Sequence, residues 1–138
     1  MRRGGVVLAA AAGAAVVAAW MLAPARSALR EELPPEFAGK TNPLAGPEAV
    51  AAGAALFRQN CATCHGPGAD GHGPAADGLH PPPADFRNGP VLAQHSDAYL
   101  FYRLTTGKPG TAMPSFHGVL DETARWQVIA YLRALPAR

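Results

Sequence analysis

The chain has 138 residues, a formal net charge of +2 and only 7% aromatic residues, which is thin for a hydrophobic core. From residue 47 to the end, seven Lys/Arg balance seven Asp/Glu, which argues against a nucleic-acid partner, since that needs a positive patch. The same 92 residues make a domain small enough to be marginal unless something other than side chains helps to fill its core.

Met1, Arg2 and Arg3 are followed by twenty uncharged residues, Gly4 to Ala23. Twenty helical residues span about 30 Å, the hydrocarbon thickness of a bilayer. Residues 1–23 are therefore expected to form an N-terminal hydrophobic helix, either a membrane anchor or a signal segment. Arg2 and Arg3 favour keeping the N-terminus in the cytoplasm and exporting the rest. Nine Ala and three Gly make the run weakly hydrophobic, and the "APA" at 23–25 is an acceptable cleavage site. The run nevertheless exceeds the 7–15 residues usual for the apolar part of a signal peptide, which favours an uncleaved anchor. The expected location is the inner membrane, single-pass, with the domain on the periplasmic side, or the periplasm if the segment is cleaved.

Residues 24–46 read as a Pro-rich tether, with four prolines and two glycines. "SALREEL" (27–33) is long enough for one or two helical turns capped by Ser27. The strip beyond it reads as extended. Phe37 and Leu44 either tack it to the domain or belong to a solvated linker. The domain, residues 47–138, opens with Pro47 as a first helical residue after Gly46. "EAVAAGAALFRQNC" repeats apolar positions at Val50, Gly53/Ala54, Phe57 and Cys61, a period that suits one buried helix face. Gly53 costs such a helix about 1 kcal/mol relative to Ala, which points either to a close helix–helix crossing or to an idle glycine in an Ala-rich helix.

This helix runs into "CATCH" (61–65), which holds both cysteines of the chain. A structural zinc site needs a second ligand pair, which is missing. A redox Cys-x-x-Cys needs a strand–helix context, whereas here a helix precedes and a Gly-rich loop follows. Cys-x-x-Cys-His is the signature of c-type haem attachment. The spacing lets Cys61 and Cys64 each reach one vinyl group of the porphyrin, and His65 can then ligate the iron. A covalent haem would also supply the apolar body that the small domain lacks, and with both thiols so used no structural disulfide remains. The loop "GPGADG" (66–71) matches Gly-x-Gly-x-x-Gly, but that fingerprint means dinucleotide binding only after a strand. Its glycines more simply let the chain turn away from His65.

A further helix is expected over "DAYLFYRLTT", capped by Ser96 and ended by Gly107, and a last one over "ETARWQVIAYLRAL", capped by Asp121 and stopped by Pro136. Nothing alternates like a strand, so the domain is expected to be all-α with long loops. Candidates for the second axial iron ligand are Met113, His72, His80, His95 and His117. Met113, in the loop "GKPGTAMPSF", is the choice, because no helical periodicity explains a Met there and a thioether opposite imidazole suits electron transfer. His117 is the expected substitute because it lies nearby in sequence.

Residues 47–138 resemble class I mono-haem c-type cytochromes of bacterial respiratory chains. The resemblance rests on "CATCHG" at the end of the first helix, "GTAMPSF" downstream and the closing "RWQVIAYLRAL". It implies that the first and last helices cross near Gly53 and Phe57. It also implies that a backbone carbonyl of the proline-rich stretch "HPPPADF" (80–86) bonds the axial histidine, with the register among Pro81–Pro83 open. The implied cofactor is one covalent haem c, held by Cys61 and Cys64 and ligated by His65 and Met113. The implied function is one-electron transfer between respiratory-chain partners, by an electron carrier and not an enzyme, with redox proteins as partners and no small-molecule substrate. The alternatives are a fixed subunit of a larger membrane oxidoreductase complex, or an enzyme with a labile Met113.

If residues 1–23 remain on the chain, carbonate washing will leave the protein in the membrane fraction. A mature N-terminus at Arg26 would show cleavage instead.

Overall fold

The computed structural model describes residues 33–136. The expected hydrophobic helix at 1–23 and most of the "SALREEL" turns lie outside these residues. Among the described residues no helix is long and apolar enough to cross a membrane. They are helical with no strand, a small all-α fold. The helices are α1 (Pro47–Asn60), α2 (Ala62–His65), α3 (Gly89–Gln94), α4 (Asp97–Thr106) and α5 (Glu122–Ala134).

Local signals account for the ends of the longer helices. Pro47 occupies the first turn of α1, where its missing N–H costs nothing. Ser96 Oγ accepts from the Tyr99 N–H at 3.2 Å and Asp121 Oδ1 from the Ala124 N–H at 2.7 Å, so both expected caps form. Gly107 closes α4 with its N–H on the Arg103 carbonyl at 2.8 Å.

The central packing is α1 against α5. Gly53 is buried at the crossing, where an added Cβ would run into the Gln127 carbonyl oxygen and come within 2.9 Å of Tyr131 Cβ. One turn on, Phe57 is 1% exposed and its ring lies 5.3 Å from that of Tyr131. Helix α4 joins α5 through Phe101, stacked on Trp126 at 4.1 Å between ring centroids. Arg133 ties the start of α4 to α5: its Nε donates to Asp97 Oδ1 at 2.8 Å, and its two terminal nitrogens donate to the carbonyls of Leu92 and His95.

Residues 34–46 pack on this body. Phe37 is buried, with its ring 5.0 Å from that of Tyr102 and 6.2 Å from that of Phe101. Asn42 Nδ2 donates to the Trp126 carbonyl at 2.9 Å.

Gly53→Ala sets a helix-propensity gain of about 1 kcal/mol against overpacking into backbone, which costs about 3 kcal/mol. The clash wins, because the atoms met are a carbonyl and a Cβ and cannot swing aside. We expect net destabilisation of about 2 kcal/mol in denaturant unfolding. A neutral or stabilising effect would mean that the crossing is not close.

Candidate functional site

The site is assembled from the end of α1, two loops and the inner face of α4. At the end of α1, Cys61 donates its N–H to the Phe57 carbonyl at 2.8 Å, and its own carbonyl accepts from Cys64 and His65. The chain thus makes one short turn, α2, which holds the two thiols and the imidazole together. The Gly-rich loop then folds back beneath it. Gly71 donates to the His65 carbonyl at 2.8 Å, Gly73 to Cys64 at 3.0 Å and Ala75 to Thr63 at 2.9 Å. Gly73 allows this approach, since a Cβ there would meet the Thr63 and Ala62 carbonyl oxygens.

The proline-rich stretch passes the imidazole on its way to α3. His65 Nδ1 lies 3.0 Å from the carbonyl oxygen of Ala84, so the bonding carbonyl lies within 80–86 but one residue beyond the three prolines. The His80–Pro81 peptide is cis. Burial pushes the His65 pKa down, while the hydrogen bond to the Ala84 carbonyl acts the other way without reversing it. The ring is therefore neutral near pH 7. With the proton on Nδ1 donated to Ala84, Nε2 is left with a lone pair fit for a metal. Phe86 flanks the imidazole at 4.8 Å between ring centroids.

Met113 comes from the loop after α4. Its carbonyl accepts from Lys108 at 3.1 Å and its N–H donates to Thr111 Oγ1 at 3.2 Å. The loop is pinned to α4 by Ser115 Oγ, which donates to the Thr105 carbonyl at 2.6 Å, and by the Phe116 N–H on the Leu104 carbonyl at 3.0 Å.

Cys61, Cys64, His65 and Met113 all line one cavity of about 510 Å³. The rest of its wall is mainly apolar, with Phe57, Leu79, Leu100, Leu104, Val128 and Leu132 among the lining residues. His95 also lines it, stacked on Tyr99 at 4.1 Å. His117, the substitute ligand expected from the sequence, does not line it and is exposed. Phe116 turns inward on its bond to Leu104, which leaves the next residue facing solvent. His72 and His80 are exposed as well.

The donor chemistry separates the readings of the Cys-x-x-Cys pair. Burial, and then the neighbouring Cys64, push the Cys61 thiol up to about 12. A redox dithiol needs the opposite shift, toward a reactive thiolate. Among the described residues no group of three or more His, Cys, Asp or Glu is placed to hold a metal ion by itself. An apolar cavity edged by two thiols, a neutral imidazole and a thioether fits a haem: apolar wall for the ring, sulfur for covalent attachment, and nitrogen and soft sulfur for the iron.

The comparisons with known proteins agree. The family described as cytochrome c oxidase, cbb3-type, subunit III matches residues 48–132. The chain is 36% identical over 93 residues to a dihydro-heme d1 dehydrogenase of Pseudomonas aeruginosa, a match covering 64% of this chain and 16% of that protein. It is also similar to the solved reducing HAO-like protein complex of Kuenenia stuttgartiensis, with a TM-score of 0.60 and 26% identity, over 80% of this chain and 53% of that one. The chain thus spans only a part of each of these relatives.

Gly107 is the weak point of the Met113 loop. Its backbone, φ 74° and ψ −167°, lies in a region open essentially only to glycine, and a Cβ there would sit 2.7 Å from the Met113 carbonyl oxygen. Gly107→Ala is expected to cost about 3 kcal/mol, measured by denaturant unfolding of the matured protein. A change within about 0.5 kcal/mol, as at an ordinary surface position, would mean that the loop is not held as described.

Proposed function

This chain belongs to the cbb3-type cytochrome c oxidase subunit III family, is a c-type cytochrome domain and carries covalently bound haem c, and on that premise we propose that it transfers single electrons with His65 and Met113 as the axial iron ligands. The observation that carries the reading is that the two thiols, the imidazole and the thioether all line one apolar cavity. Cys61 and Cys64 would each hold the cofactor by a thioether, an attachment with no net redox change because each thiol S–H would add across one vinyl group. Bound haem c supplies a ferric/ferrous couple. His65 is oriented and made more basic by its bond to Ala84. Met113 favours ferrous iron and so raises the reduction potential. His65 and Met113 together would leave no position on the iron for a substrate, which suits a carrier.

Residues 1–23 would anchor the chain in the inner membrane, with residues 24–46 as tether and the haem domain, 47–138, on the periplasmic side. The packing of Phe37 and Asn42 on the domain would leave only the part of the tether before residue 34 as leash. The balanced charge of the domain suits a transient partner docking on a weakly polar surface, with the chain shuttling electrons between respiratory-chain proteins. One observation favours the alternative, a fixed subunit of a larger oxidoreductase: both relatives extend well beyond the part matched here, and one is a component of a protein complex. Copurification from gently solubilised membranes separates the two. Stoichiometric partners mean a subunit, and the chain alone means a carrier.

Met113→Ala should open the sixth position, so that the ferrous protein binds carbon monoxide while the wild type binds it poorly. Since His95 lines the same cavity, Met113→Ala/His95→Ala is the cleaner variant. Met113→His should keep six ligands but lower the midpoint potential. An unchanged spectrum in Met113→Ala would assign the sixth position to a histidine.

A further inference from the structure

Arg125, in the first turn of α5, is only 5% exposed and does not line the haem cavity. Taking a guanidinium out of water is costly, and the contacts it gains there say what it holds. They lead to the end of α4. The guanidinium carbon sits 4.7 Å from the centre of the Phe101 ring, Nη1 donates to Thr105 Oγ1 at 2.6 Å, and Nε donates to the Asp121 carbonyl at 3.3 Å. A cation beside the last turn of a helix also faces the negative end of its dipole. Thr105 is a junction. Its hydroxyl accepts from Arg125 and donates to the Phe101 carbonyl at 2.7 Å, which fixes the side chain. Its main-chain carbonyl is one of those that a helix end leaves without a helical partner, and it accepts from Ser115 Oγ at 2.6 Å. The carbonyl before it, of Leu104, accepts from the Phe116 N–H at 3.0 Å. Ser115 and Phe116 follow Met113 closely in the chain, so the last turn of α4 is the seat of the Met113 loop.

We propose, resting on Met113 as an axial ligand, that Arg125 is a positioning residue for Met113: from α5 it fixes the turn of α4 on which the ligand loop is seated. One turn earlier, the stacking of Phe101 on Trp126 joins the same two helices without a directional bond. Arg125 supplies the directional bond at the turn that carries the loop. Helix α5 is also the partner of α1 at the Gly53 crossing, and α1 leads into the Cys61–His65 turn. The two sides of the cavity that present His65 and Met113 thus take their places from one helix.

The test is displacement of Met113 by added imidazole in the matured ferric holoprotein, followed by the near-infrared sulfur-to-iron charge-transfer band. The wild type is compared with Arg125→Gln, Ser115→Ala, the double variant and, as control, Asn42→Ala. Asn42 bonds the carbonyl of Trp126, the neighbour of Arg125, and has no bond to the last turn of α4 or to the loop. Arg125→Gln should tighten imidazole binding about tenfold, the equivalent of one charge-assisted hydrogen bond lost from the closed loop. Loss of the band in this variant before any imidazole is added is the stronger form of the same result. Ser115→Ala should act in the same direction. The double variant should fall short of the product of the two, because both cut one chain of bonds. Asn42→Ala should stay within about twofold of the wild type, whatever it does to global stability. An Arg125→Gln affinity within that same range, an equal change in Asn42→Ala, or a double variant equal to the full product would overturn the proposal. Should Arg125→Gln fail to accumulate, Thr105→Val, which keeps the shape and removes the hydroxyl, decides by the same titration. A wild type without the band removes Met113 as ligand and this role of Arg125 with it. A wild type with the band and variants that do not respond removes only the role of Arg125.

Discussion

The contact on which the fold turns is the one at Gly53, where helix α1 lies so close to α5 that its neighbour is the Gln127 carbonyl. Only a residue without a side chain permits that approach, and the later turns of α1 depend on it. Phe57, one turn later, meets Tyr131, and Cys61, one further turn on, begins the turn that carries the thiols and His65. On the other helix, Val128 and Leu132 become cavity wall. Two helices that could pack at several distances are thereby held at one, and the cavity width is set before any loop is considered.

The remaining walls are irregular chain held by hydrogen bonds rather than by helix packing. The loop after His65 is fastened carbonyl by carbonyl to the turn above it, and the Met113 loop is fastened to the last turn of α4. Such segments cannot bury a core of their own, and here each has one side on the cavity. A haem held in this cavity would supply the missing part of the core. This explains how a domain with few aromatic residues can close around a cavity whose lining residues come from widely separated positions in the chain.

Much of this is legible in the sequence where the cause is local. The caps at Ser96 and Asp121, the stop at Gly107 and the amphipathic faces of α1, α4 and α5 depend on neighbours within four residues. The Cys61–Cys64–His65 turn is legible because its chemistry requires that spacing. The features that escape are long-range. Arg133 bonds residues 36 to 41 positions away, and nothing beside it in the chain announces that. Helix α3 is six residues with a proline in its first turn, too short for periodicity to show. The carbonyl that accepts from His65 belongs to Ala84 and not to one of the prolines, a register set by how the stretch drapes over the imidazole and Phe57. His117 is near Met113 in sequence yet exposed, whereas His95, eighteen residues before Met113, lines the cavity.

The central claim is that one imidazole and one thioether complete the coordination of the haem iron. Iron-edge X-ray absorption on the ferric protein counts the sulfur neighbours of the metal directly. The cysteine sulfurs, bonded to the porphyrin periphery, lie outside that shell. Ligation by His65 and Met113 gives five nitrogen neighbours and one sulfur. Six nitrogens would place a histidine where Met113 is assigned and would contradict it.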